Sequence, residues 1–160
     1  MTILATLATL LALSGAVTPN ANTTATDAKK PPAHQVIAVY FHRTERCPTC
    51  KRIGALAEEA VAKGFAKETK ARVVEFRFVD FQDKKNAKLA KSYSIDGPTL
   101  VLLSVFDGQV ECWTALPKVW QLVGKPDEFR AYVRDGVTKS LAQSKADAQK
   151  QHKQAQESQP

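Results

Sequence analysis

The chain has 160 residues, of which 44% are hydrophobic and 24% are charged, and its formal net charge is +7. This length suits one domain, and the composition supplies enough apolar side chains for a core. Eight Pro and seven Gly exclude a collagenous or Pro-rich protein, and three Cys are too few for a small scaffold held by disulfides. No apolar run is long enough for a polytopic membrane protein.

The two ends of the chain differ in composition from its middle. Residues 1–17 contain an uncharged apolar run that we interpret as a secretory signal peptide, although no Lys or Arg precedes it. An uncleaved signal anchor and a buried N-terminal helix are the alternatives. Residues 18–33 are rich in Thr, Ala, Asn and Pro and predict a flexible linker, and residues 143–160 carry six Gln and predict a disordered tail. The folded domain is then residues 34–142.

The first half of this domain predicts a strand, a long helix, a second strand and a short helix. Residues 35–42 are β-branched and aromatic, which is typical of a strand buried on both faces. Residues 48–70 change to the apolar spacing of an amphipathic helix. Residues 72–80 alternate as a strand does, and residues 83–93 predict a short basic helix. A helix that joins two strands with buried runs implies parallel pairing through a right-handed crossover.

The second half predicts a hairpin followed by helices. Residues 98–106 form a third apolar strand, and Asp107-Gly108 is a turn signal before a fourth strand over 109–114. A short helical piece follows, and Pro126 is suited to the first turn of a last helix. The order β-α-β-α-β-β-α predicts an α/β fold, a four-stranded mixed sheet with helices on both faces.

The segment Cys47-Pro48-Thr49-Cys50 lies where the first strand gives way to the long helix. Pro48 fits the first helical position, because its missing N–H would be unpaired there in any case, and this makes Cys47 the N-cap. The free N–H groups and the helix dipole favour a thiolate, so the pKa of Cys47 should fall. Cys50 lies one turn inside the helix and is more shielded. We therefore predict that Cys47 attacks a disulfide and that Cys50 resolves the mixed disulfide.

Basic side chains near Cys47 are expected to act in the same direction. Arg43 and Arg46 precede the pair and should lower the pKa of Cys47 further. His42 at the end of the first strand is a candidate for proton transfer, and packing beneath the helix explains it equally well.

The same thiols allow other interpretations. Cys-x-x-Cys is also half of a zinc site, although a second pair of ligands is missing from the sequence. A Cu(I) site, with or without His42 as a further ligand, and a static disulfide without a redox role are the remaining alternatives. Cys112 on the fourth strand predicts a buried, inert thiol, with a third redox or ligand cysteine as its alternative.

A Cys-x-x-Cys at the junction of a buried strand and a long helix resembles the active site of the thioredoxin-like superfamily, and Cys-Pro-x-Cys is similar to the glutaredoxin motif. Gly97-Pro98-Thr99 at the start of the third strand resembles the family's second signature, a cis-proline beside the redox pair. The resemblance covers about residues 35–139. It implies a thioredoxin-like fold, thiol–disulfide oxidoreductase activity, and a backbone at Gly97, Pro98 and Thr99 that is presented to the substrate. Arg46 stands where thioredoxin has Trp.

Residues 40–50 and 119–133 together resemble bacterial thioredoxin-like proteins known as a nitrophenyl-compound nitroreductase subunit. Nitro reduction usually needs a flavin or a pyridine nucleotide, and the sequence has no glycine-rich phosphate loop. Any nitro chemistry would then come from a partner. We expect no cofactor and no resident metal in this chain.

The expected partner is a disulfide-bearing protein or a redox partner protein. The basic run near residue 88 lacks aromatic interleaving, so nucleic-acid binding is not expected. The signal segment predicts a periplasmic or otherwise extracytoplasmic location, with loose membrane association through residues 3–17 if it is uncleaved. A non-catalytic metal-binding or partner-binding module, including a subunit of a larger redox system, is the alternative to the enzyme.

Overall fold

A computed structural model describes residues 31–157, which form one mixed sheet with helices on both faces. The strands are β1 (His34–His42), β2 (Val74–Asp80), β3 (Thr99–Phe106) and β4 (Gln109–Ala115). Their order across the sheet is β2-β1-β3-β4, with β1 and β2 parallel and the other pairs antiparallel. The predicted α/β fold with its four-stranded mixed sheet and thioredoxin-like connectivity is confirmed.

The helices follow the predicted order with one break. They are α1 (Pro48–Gly64), α2 (Ala66–Lys70), α3 (Ala87–Ser92), α4 (Val119–Leu122), α5 (Pro126–Ala142) and α6 (Lys145–Glu157). The predicted helix 48–70 is divided because Phe65 leaves the helical region at φ −133° and ψ 40°. The Phe65 side chain is buried against the main core, so packing accounts for the interruption.

Strand β1 lies at the centre of two hydrophobic clusters, one on each face of the sheet. All side chains from Val36 to Phe41 are buried. Because side chains alternate along a strand, one face receives Val36, Ala38 and Tyr40, which pack against α1 and α5. The other face receives Ile37, Val39 and Phe41, which pack with Tyr93 at the end of α3. The predicted burial of this strand on both faces is confirmed.

Residues 143–157 differ from the predicted disordered tail, because α6 packs against β4. The last three residues of that predicted tail, 158–160, lie outside the described residues. Ala148 is fully buried in a small cluster with Phe106 and Cys112. Its small side chain lets the helix approach the sheet closely. The helix starts with a capping box, in which the Asp147 N–H donates to Ser144 Oγ at 3.2 Å and the Ser144 N–H donates to Asp147 Oδ2 at 3.4 Å.

Glutamines supply the polar part of the same contact. Gln151 Nε2 donates to Thr114 Oγ1 on β4 at 2.9 Å, and Ser104 Oγ donates to Gln143 Oε1 at 3.1 Å. The Gln-rich composition that predicted disorder therefore serves to hydrogen-bond a helix to the sheet. Apolar periodicity did not predict α6, because its buried apolar contact is made by one small residue, Ala148.

The predicted signal segment, residues 1–17, and most of the predicted linker, residues 18–33, lie outside the described residues. Within residues 31–157, none of the helices has both the length and the apolar character required to span a bilayer.

Ala148→Asp tests the docking of α6, because it would place a carboxylate without a partner against Phe106 and Cys112. We expect a loss of about 1–3 kcal/mol in the free energy of unfolding and a Cys112 thiol that reacts with a labelling reagent. Urea unfolding measures the loss of stability, and thiol labelling measures the reactivity of Cys112. Both experiments use protein in which Cys47 and Cys50 are replaced by Ser. Ala146→Asp, on the exposed side of α6, is the matched control. Equal labelling of both variants would contradict the docking.

Candidate active site

The cysteine pair lies where β1 passes through a short loop into α1. Cys47 has extended backbone angles, φ −64° and ψ 162°, and its sulfur accepts the backbone N–H of Cys50 at 3.2 Å. Pro48 is the first residue of α1 and has no N–H that would need a partner. The prediction that Cys47 is the N-cap of this helix is confirmed.

The two thiols are close together and differ in exposure. Their Sγ atoms are 2.8 Å apart, and both cysteines are free. Cys47 is exposed, whereas only 8% of Cys50 is accessible. The arrangement therefore offers one sulfur to solvent and keeps a second within reach behind it.

The same geometry separates the acidities of the two thiols. The pKa of Cys47 is lowered, first by its side-chain hydrogen bond with Cys50 and then by the backbone N–H groups of Cys50 and Thr49. Burial raises the pKa of Cys50, and the neighbouring Cys47 raises it further. Cys47 is consequently the thiol that ionises first, and its charge is stabilised by the helix start.

The loop between β1 and α1 is tied to the end of β2. The Phe81 N–H donates to the His42 carbonyl at 3.0 Å, and the Thr44 N–H donates to Gln82 Oε1 at 3.1 Å. The Thr44 hydroxyl is the main cause that lowers the pKa of Asp80. These bonds fix the path of the chain into the cysteine pair.

His42, Arg43 and Arg46 take different positions in this loop. His42 is half-buried, and its Nδ1–H donates to the Arg43 carbonyl at 2.8 Å, which leaves only Nε2 for another partner. The Arg43 side chain is exposed. The Arg46 guanidinium lies 4.9 Å from the centre of the Phe78 ring. The predicted effect of these three residues on the pKa of Cys47 stays a prediction.

Gly54 and Tyr40 belong to the site but were not singled out from the sequence. A Cβ on Gly54 would lie 2.6 Å from Arg46 Nη2 and 2.7 Å from Phe78 Cε1, so a side chain does not fit here. The Tyr40 ring also faces this point, with Cδ1 at 3.1 Å. A glycine inside a helix lowers the stability of the helix by about 1 kcal/mol relative to Ala. Gly54 was therefore the sequence feature that could have indicated a close approach of other side chains to α1.

Gly97, Pro98 and Thr99 lie at the same end of the sheet as the cysteines, because Thr99 pairs with Phe41 at the end of β1. All three are half-buried, and the Thr99 hydroxyl donates to the Gly97 carbonyl at 2.9 Å. The expected cis bond before Pro98 is not found, since no peptide bond in residues 31–157 is cis. Trans is the intrinsically favoured isomer of an X–Pro bond. Contact of these residues with a substrate stays a prediction.

Trp120 and a shallow pocket border this end of the molecule. Trp120 is 41% exposed, and its Nε1–H donates to the Pro98 carbonyl at 3.2 Å. The pocket, of about 230 Å³, is lined by Pro48, Thr49, Arg52, Val123 and Gly124. Trp113 instead packs against Tyr93 on the other face of the sheet, 5.8 Å between ring centres.

The third cysteine is separate from the pair. Cys112 is 2% exposed beneath α6, and burial raises the pKa of its thiol. Its predicted burial is confirmed. In the described part of the chain, no group of three or more His, Cys, Asp or Glu side chains is placed to hold a metal ion.

Comparisons with known proteins give only distant likenesses. No family model and no curated protein matches the chain. A solved thioredoxin from Thermus thermophilus is 22% identical, over 66% of this chain and 76% of that chain, with a TM-score of 0.37. Peroxidoxin BcpB from Mycobacterium tuberculosis is 14% identical, over 65% of this chain and 80% of that chain, with a TM-score of 0.33.

Likenesses of this size carry no functional inference, and the thioredoxin-like fold follows from the strand order and connectivity described above. The narrower likeness to the nitroreductase subunit finds no support among these matches and stays a prediction.

The acidity of Cys47 can be measured by its rate of alkylation with iodoacetamide as a function of pH. With Cys112 replaced by Ala, we expect the rate to rise at lower pH than for an ordinary thiol, whose pKa is about 8.5, because only the thiolate reacts. Cys50→Ala removes the thiol that bonds to Cys47 and should move the midpoint to higher pH. An unchanged midpoint in Cys50→Ala would show that Cys50 does not set this acidity.

Proposed function

We propose that this protein is a thiol–disulfide oxidoreductase that acts outside the cytoplasm, with Cys47 as the attacking and Cys50 as the resolving residue. The observation that carries the proposal is the pairing of an exposed, hydrogen-bonded sulfur at a helix N-cap with a buried sulfur 2.8 Å away. The exposed sulfur favours a thiolate, which is the species that attacks disulfides.

The reaction balances as two successive exchanges. The Cys47 thiolate attacks one sulfur of a substrate disulfide, forms a mixed disulfide and releases the first substrate thiolate. Cys50 loses its proton to solvent and attacks Cys47 Sγ, which releases the second substrate thiolate. Two electrons pass from the cysteine pair to the substrate, and an internal Cys47–Cys50 disulfide remains. The reverse sequence oxidises a dithiol.

The substrate we propose is a disulfide-bearing protein or a redox partner protein. Its chain would lie along Gly97, Pro98 and Thr99, with the exposed Trp120 ring and the Arg52 pocket beside it. Export is proposed from the apolar segment at residues 3–17. The proposal does not depend on the narrower nitroreductase likeness.

Reduction of insulin disulfides by the full chain, with dithiothreitol as electron donor, tests the proposal. Cys47→Ser should lower turnover to the uncatalysed rate, because the attacking sulfur is lost. With insulin in the absence of dithiothreitol, Cys50→Ser should retain attack and accumulate a mixed disulfide that mass spectrometry detects. Cys112→Ser is the matched control and should keep normal turnover, since that thiol is buried away from the pair.

Normal turnover in Cys47→Ser would overturn the proposal. Absence of turnover in the wild type, together with stoichiometric Cu(I) or zinc retained through purification, would favour the metal-binding module instead. Export predicts that the mature chain begins after the apolar segment. Identification of the N-terminal residue of protein recovered from the extracytoplasmic fraction tests this.

A further inference from the structure

A cluster of aromatic and cationic side chains lies beside the first turns of α1, with Tyr40 buried, Arg46 half-buried and Phe78 39% exposed. The Arg46 guanidinium sits 5.9 Å from the centre of the Tyr40 ring and 4.9 Å from that of Phe78. The two rings meet edge to face, with centres 6.3 Å apart. Gly54 closes the cluster from the side of α1, four residues after Cys50 and so on the same helix face. We call these four residues the Tyr40–Arg46 cluster.

Two polar atoms of the cluster are buried without a hydrogen bond of standard geometry, namely the Tyr40 hydroxyl and Arg46 Nε. Tyr40 is also fully buried as a residue. A buried hydroxyl without a partner is unfavourable, and a packed core could hold Phe at this place without that cost. The unpaired hydroxyl therefore points to a partner that forms in another state of the site.

The Tyr40 ring lies beside the face of α1 that carries Cys50, because its Cδ1 atom is 3.1 Å from the Cβ position of Gly54, one turn after Cys50. The pKa of Tyr40 is raised, first by burial and then by Cys50, and in return the Tyr40 hydroxyl lowers the pKa of Cys50. The hydroxyl is thus placed to donate to this sulfur once the sulfur is charged. Hydrogen bonds to a charged acceptor are stronger than those to a neutral one.

Arg46 acts on Tyr40. Its positive charge opposes the rise in the pKa of the phenol, which makes the hydroxyl a better donor. The close approach of Arg46 Nη2 to Gly54 keeps the guanidinium against the ring.

We infer that the Tyr40 hydroxyl is the hydrogen-bond donor that stabilises the Cys50 thiolate in the resolving step, and that Arg46 is a positioning residue that strengthens this donor. The inference rests on the proposed oxidoreductase function. Tyr40 keeps its proton throughout. Cys50 gives its proton to solvent, its sulfur forms the bond to Cys47 Sγ, and the substrate sulfur leaves with the electron pair of the mixed disulfide.

The titratable and charged groups around Tyr40 and Cys50 come from three places. Cys47 lies at the start of α1, the helix that carries Cys50. Tyr40 projects from β1, and Arg46 comes from the connecting loop. His42, further along β1, lies against the Tyr40 ring with its centre 6.4 Å away.

Dithiobis(nitrobenzoate) separates the two steps, because attack by Cys47 releases one coloured thiolate and resolution by Cys50 releases a second. Stopped-flow traces of the full chain with Cys112 replaced by Ala give both rates. Tyr40→Phe should leave the first rate unchanged and slow the second by about three- to tenfold near neutral pH. It should also move the pH midpoint of the second phase upward, since the Cys50 thiolate has lost its donor.

Tyr93→Phe is the matched control, because Tyr93 is a buried tyrosine on the opposite face of the sheet. Both of its rates should equal those of the parent. Circular dichroism and urea unfolding verify that each variant folds. A merely structural role of Tyr40 would change stability without moving the pH midpoint of the second phase.

Arg46→Met keeps the length and apolar stem of the side chain and removes the charge. It should slow the second phase in the same direction as Tyr40→Phe but by less, and it carries the test if Tyr40→Phe does not fold. In the double variant the effect of Arg46→Met should vanish, because Arg46 acts through the hydroxyl. An undiminished effect in the double variant would overturn the role given to Arg46.

The proposed oxidoreductase function and the role of Tyr40 are contradicted by different results. If the parent shows no rapid first phase, the proposed oxidoreductase function fails. If the first phase is rapid and the second phase of Tyr40→Phe matches the parent in rate and pH midpoint, the oxidoreductase stands and the role of Tyr40 is overturned.

Discussion

The hydrogen bond from the Cys50 N–H to Cys47 Sγ is the contact on which the site depends. It starts α1, because it pairs one of the N–H groups that every helix leaves free at its first turn. It also fixes which sulfur is exposed and which is buried, since the capping residue lies outside the helix and the donor lies inside. Helix initiation and the difference between the two thiols are therefore consequences of one interaction.

The sheet and the position of the cysteines could be predicted because both depend on local patterns. The apolar run of β1, the helical spacing after Pro48 and the Asp107-Gly108 turn each identify an element from its neighbours in sequence. The parallel pairing of β1 with β2 then follows from the crossover helix, and the antiparallel pairing of β3 with β4 follows from the two-residue turn. These rules need no knowledge of which particular side chains meet.

The parts that the sequence did not reveal depend on contacts between distant residues. Helix α6 is held by one buried alanine and by amide hydrogen bonds, and neither leaves a periodic signal. Arg46 appeared as a charge beside Cys47, yet its guanidinium rests on two aromatic rings from β1 and β2. This stacking requires the space that Gly54 leaves, since a side chain at that position would collide with Arg46 and Phe78.

Trp120 gives the molecule an optical property. Its indole N–H is bonded to the backbone that enters β3, while much of the ring remains in water. The emission of an indole depends on its hydrogen bonding and on its exposure to water. A ligand that binds at this edge, or loss of the bond to the Pro98 carbonyl, would therefore change the fluorescence of Trp120. The second tryptophan, Trp113, is stacked edge-on against Tyr93 away from the thiols and supplies a steadier background. The unlabelled protein thus carries its own reporter of events at the backbone that enters β3.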